Sequence, residues 1–142
     1  MNRAFQNPPP DEIKSLLLKV KTIAVLGLSP QPGRPSHAVA RALKGTGFRI
    51  VPVRPEADEV LGERAYATLR DIPFPVDLVD VFRAAEYIPA VVEECIALRV
   101  PALWIQEGIV HDEAGCRAQE AGIFTVMDRC LWKEYLALGT AD

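Results

Sequence analysis

The residues with most to offer a ligand lie in one stretch, Gly27-Leu28-Ser29-Pro30-Gln31-Pro32-Gly33-Arg34-Pro35-Ser36. Glycine lets backbone come close to a bound group, and arginine is a permanently charged, forked donor suited to phosphate or carboxylate. Ser29 and Ser36 add hydroxyls. Set between a strand and a helix, such a loop makes an anion site, because the first amides of a helix have no partner within it. The spacing departs from Gly-x-Gly-x-x-Gly. Ser29 stands where the second glycine would be, and the next glycine is Gly33. A glycine turn of this kind can also serve only to pack a helix on its strand.

Val53-Arg54-Pro55 closes the next apolar run. A dinucleotide site that prefers NAD places an acid there for the ribose hydroxyls. Arg54 instead suits a ribose phosphate, as in NADP or coenzyme A, or is simply a solvated strand end. Phe82-Arg83, Gln106-Glu107-Gly108 and Asp128-Arg129-Cys130 close three later runs. A buried glutamate is costly unless hydrogen-bonded, so Glu107 belongs at the mouth of a crevice or against backbone amides. Asp128 and Arg129 read as an ion pair, and Cys130 as either a reactive thiol or a small core residue. His37 falls just inside a helix start, where the dipole favours the neutral ring as a donor to phosphate. His111 reads as a surface residue. No Ser-His-acid or Cys-His pairing is visible, and two distant histidines do not make a metal site. No catalytic centre emerges.

The elements that must position these residues follow from periodicity. Ile13, Leu16, Leu17 and Val20 share one face of a helix opening at Asp11 or the residue before it. Strands are expected at 22–26, 48–53, 76–82, 102–106 and 124–128. Between them, one helix starts with Ser36 as N-cap and ends at Gly45 and Gly47. A second carries Pro89 in its first turn and Val91, Val92, Cys95 and Ile96 as its stripe; a third spans 113–121. A last helix holds Leu131, Trp132, Tyr135 and Leu136, while 56–75 is a long connection. The pattern is α/β: a single-domain, Rossmann-like, doubly wound parallel five-stranded sheet, order 3-2-1-4-5, with helices on both faces. Residues 1–10 form a polar arm and 11–142 the domain. Each polar segment named above then falls at the carboxyl end of a strand, where such sheets bind ligands.

Composition narrows the function class. The 142 residues are 49% hydrophobic and 25% charged, ordinary for one soluble domain. A formal net charge of −3 argues against a nucleic-acid surface. The first twenty residues hold no long apolar run, which excludes a signal peptide or membrane span there and makes the cytoplasm the expected compartment. Three scattered cysteines make neither a disulfide framework nor a zinc site.

Taken together, the Gly27–Ser36 loop, Pro52-Val53-Arg54-Pro55, Val79-Asp80-Val81-Phe82-Arg83, Leu103-Trp104-Ile105-Gln106-Glu107-Gly108 and Val126-Met127-Asp128-Arg129-Cys130 resemble the small stand-alone CoA-binding proteins. These are similar to the N-terminal domain of the succinyl-CoA synthetase alpha subunit. The resemblance runs from about residue 16 to 136. It implies a Rossmann-like domain that binds coenzyme A or an acyl-CoA. Gly27, Ser29, Pro30, Gly33, Arg34, Pro35 and Ser36 would surround the phosphates, with Val53 and Arg54 by the adenosine. Phe82 and Arg83 would flank the ligand, and Gln106, Glu107 and Gly108 would face the pantetheine arm. Arg54 stands where such proteins often have Asn, so its part in holding the ribose phosphate is an inference of its own. The synthetase's second domain, with its phosphorylated histidine, has no counterpart here, so its activity is not implied. The expected role is a non-catalytic carrier, sensor or subunit. An NADP-dependent oxidoreductase and an interaction module that has lost its ligand are the alternatives.

Overall fold

The computed structural model describes residues 4–56 and 58–138. Five parallel strands form the sheet: β1 (Thr22–Leu26), β2 (Arg49–Val53), β5 (Leu78–Val81), β6 (Ala102–Gln106) and β7 (Phe124–Arg129). Two-residue strands β3 (Glu59–Val60) and β4 (Glu63–Arg64) make a small hairpin in the long connection. In the five-stranded sheet, β1, β5 and β6 are buried along nearly their whole length, as strands covered on both faces must be. Helices α1 (Pro10–Lys19), α2 (Pro35–Gly45) and α5 (Leu131–Leu138) bury Ile13, Leu17, Ala40, Leu43 and Leu131 against Ile23, Val25, Ile50, Leu78, Trp104 and Val126. Helices α3 (Ile88–Ala97) and α4 (Asp112–Glu120) cover the other face, packing Ile88, Val92, Cys95, Ala114 and Ala118 on Ala24, Val51, Val79, Leu103 and Met127.

The α/β class, the parallel five-stranded sheet and the helices on both faces are as expected. The place of one strand is not. The order is β2-β1-β5-β6-β7, so the third strand of the parallel sheet lies beside the first rather than outside the second. The outer edge of β2 is already taken. Tyr66 donates its N–H to the Pro52 carbonyl (3.0 Å) and accepts from the Arg54 N–H (2.8 Å). The chain must therefore return on the far side of β1. It winds one way from β1 and the other way from β5, and the crevice between these two strands is the switch point.

Three local expectations shift for physical reasons. Arg34, not Ser36, is the N-cap of α2, because Pro35 occupies the first turn, where its fixed φ and missing N–H cost nothing. The N-terminal arm is docked through an apolar contact: Phe5 packs on the α3–α4 side of the core, in the space that Gly115 leaves beside Met127. Asn7 behaves as a strand partner, donating from Nδ2 to the Met127 carbonyl (2.9 Å) and accepting the Met127 N–H on Oδ1 (2.8 Å). That contact covers the open edge of β7. His111 caps α4, its Nδ1 accepting the Ala114 N–H at 3.1 Å.

Candidate functional site

At the carboxyl ends of β1, β5 and β6 lies a cleft of about 700 Å³, within the usual range for ligand sites, roughly 300–1,000 Å³. One wall is the loop after β1. Gly27 holds φ +85°, and a Cβ there would run into the Phe82 carbonyl oxygen, so only glycine lets the ends of β1 and β5 approach this closely. The loop is pinned from within. Ser36 Oγ accepts the Ser29 N–H at 2.9 Å, and Ser29 Oγ accepts the Gln31 N–H at 3.1 Å. No side chain caps α2, which leaves its first-turn amides to the cleft mouth.

Of the fourteen residues expected from sequence, ten line this one cleft: Gly27, Ser29, Arg34, Pro35, Ser36, Arg54, Phe82, Arg83, Gln106 and Glu107. Segments far apart in the chain are thus brought to one crevice. The other four are not in its wall. Pro30 and Gly33 lie exposed in the loop, the Val53 side chain is buried in the core, and Gly108 is exposed with φ +88°. Val53 still contributes backbone, its carbonyl accepting the Gly27 N–H at 2.9 Å. Gln31, Val39, Ala84, Ile109 and Cys130 also line the cleft. Val39 was legible one helical turn after Ser36, Gln31 within the loop and Cys130 at a strand end, whereas Ala84 and Ile109 required the fold.

Charge in the cleft is opposite to that of the chain. Three guanidinium groups, from Arg34, Arg54 and Arg83, face one carboxylate, Glu107. That carboxylate lies at the mouth, 2.9 Å from Lys133 Nζ. Arg83 is steadied over the Tyr87 ring, 4.9 Å from its centre. Gln106 is buried and spends its Oε1 on α5, accepting the Leu131 N–H at 3.0 Å. Its place in the wall is therefore tied to that helix.

A β-bulge shapes the far end. Ile105 pairs with Met127 and Gln106 with Arg129, leaving Asp128 as the extra residue with φ +59°. The expected Asp128–Arg129 ion pair is replaced by two other contacts. Asp128 Oδ1 accepts the Gly108 N–H at 2.8 Å, while Arg129 Nε lies 3.7 Å from Glu134 Oε1. The bulge turns the chain so that Trp104 Nε1 donates to the Arg129 carbonyl (2.8 Å) and Cys130 enters the cleft wall. His37 is buried in the first turn of α2 and does not line the cleft. Among the described residues no cluster of His, Cys, Asp and Glu could hold a metal, and no helix is long and apolar enough to cross a membrane.

Residues 21–135 match the family model of the CoA binding domain. The chain belongs to this family. The Bacillus subtilis protein YneT is 44% identical over 127 residues, covering 89% of this chain and 94% of its own. A solved Thermus thermophilus structure superposes with TM-score 0.87 at 42% identity, covering 92% of this chain and 99% of that one. The ADP-forming acetate–CoA ligase II of Archaeoglobus fulgidus is 38% identical over 77 residues, which is 53% of this chain but 11% of the ligase. The match thus corresponds to a small part of the ligase's length.

Proposed function

We propose that the cleft holds coenzyme A, or an acyl derivative, stretched across the carboxyl ends of the strands. The diphosphate lies over Gly27, Ser29 and the uncapped start of α2, with Arg34 as a charged donor. The ribose 3′-phosphate meets Arg54, and pantetheine passes Phe82 and Arg83 toward Gln106, Glu107 and Ile109. The role is that of a carrier, sensor or subunit, with no chemistry assigned to the cleft itself. The observation that carries this reading is the convergence of three arginines on one cleft of an acidic CoA-binding-family chain.

Calorimetry with coenzyme A, dephospho-CoA and NADP, on wild type and Arg54→Ala, tests it. Wild type should bind coenzyme A in preference to NADP. It should lose about 1–2 kcal/mol with dephospho-CoA, the low end for a charge-assisted bond at a half-exposed arginine. In Arg54→Ala that difference should largely vanish, because the cycle isolates the coupling of the two partners. Preference for NADP would overturn the reading. Full discrimination in the mutant would move the 3′-phosphate elsewhere.

A further inference from the structure

The chain's three cysteines occupy very different places. Cys95 is fully buried on the inner face of α3, where burial, helped by Glu94, pushes its thiol up to about 12. Cys116 is partly exposed on α4, with Sγ 3.8 Å from the Ala4 carbonyl, outside the cleft wall. Cys130 alone of the three lines the cleft, beside Gln106 and Glu107 and immediately before α5. The residue is buried in that wall, 9% exposed.

We propose that Cys130 is a site of reversible disulfide exchange with the thiol end of the bound coenzyme. This rests on the coenzyme A reading above, since the ligand's own sulfur is the reacting partner. With coenzyme A disulfide, the Cys130 thiolate attacks one ligand sulfur. The Cys130–CoA S–S bond forms and the S–S bond of the disulfide breaks. The second CoA leaves as a thiolate and takes up the proton that Cys130 gave to solvent. Thiols and disulfides balance, so no outside oxidant is required. Binding of the phosphates at the other end of the cleft raises the effective concentration of the sulfur at Cys130. The protein then stores coenzyme A in protected form under oxidising conditions, and a reducing thiol releases it.

Intact-protein and peptide mass spectrometry after exposure to coenzyme A disulfide or glutathione disulfide, at equal concentration, reads this out. The expected product is one CoA moiety on the peptide holding Cys130, removed by dithiothreitol and absent in Cys130→Ser. The rate should exceed that with glutathione disulfide by on the order of tenfold or more. Desulfo-CoA, which lacks the sulfur, should suppress it, and Cys116→Ser should leave it unchanged. Peptide mapping of wild type locates the adduct even if Cys130→Ser folds poorly. Equal rates with both disulfides, or modification of the more exposed Cys116 first, would overturn the proposal. Calorimetry with desulfo-CoA separates the two readings: binding without preferential modification rejects the exchange alone, and no binding rejects the coenzyme A reading with it.

Discussion

Asp80 is the residue least at ease in its surroundings. It sits on β5 between Val25 and Trp104, fully buried, and among the described residues its two carboxylate oxygens have no hydrogen-bond partner. Burial therefore pushes its acid group well above the usual carboxylate range. A raised acid binds its proton more tightly in the folded chain. Its contribution to stability is fully present below the unfolded value, about 3.9, and is lost as pH rises through the folded one. Asp80→Asn removes that loss. Urea midpoints should favour the variant increasingly from about pH 4 upward, with the gap levelling only once the folded wild-type acid has ionised. A gap that is the same at every pH would mean that Asp80 titrates alike in both states.

At the scale of elements, the N-terminal arm tests how the sheet is finished. β7 is an edge strand, and the Asn7 side chain satisfies both backbone groups of Met127 in place of a neighbouring strand. Asn7→Ala leaves those two groups part-buried without these partners, so unfolding in urea should show a loss of about 1–3 kcal/mol. Hydrogen exchange should speed up at Met127 while β1 and β5 stay protected. A loss below about 0.5 kcal/mol would mean that water replaces the arm at no cost. Helix α5 is finished in a similar way, through the bond from the Leu131 N–H to Gln106 Oε1.

For the molecule as a whole, the decisive contact is the one between its two winding directions. Gly27 at the end of β1 closes on Phe82 at the end of β5, and the cleft opens there. Gly27→Ala puts a methyl group against the Phe82 carbonyl at a backbone angle that alanine resists. The expected result is a loss of at least about 1–3 kcal/mol in denaturant unfolding, together with weakened coenzyme A binding. Unchanged stability and unchanged affinity would show that the crevice does not need this close approach.

The sequence by itself determined the elements and the chemistry of the loop ends. Strand and helix periods are local, and the apolar runs at 22–26, 48–53, 76–82, 102–106 and 124–128 each became a strand with ends moved by two residues at most. Arg54, Arg83 and Glu107 were legible because strand ends carry the polar residues that a buried strand cannot, and Arg34 because it lies in the glycine loop before a helix. Strand order was not legible in this way. It depends on which edge of β2 is free, and Tyr66 takes that edge through backbone hydrogen bonds that any residue but proline could make. The bulge beside Cys130 was not legible either: it rests on Asp128, a non-glycine residue at positive φ. The partners of Asp128, Gln106 and Asn7 likewise lie 20 to 120 residues away, at Gly108, Leu131 and Met127. Periodicity reports which face a side chain takes, whereas these choices are made by backbone groups meeting across the sheet, and only the tertiary structure brings them together.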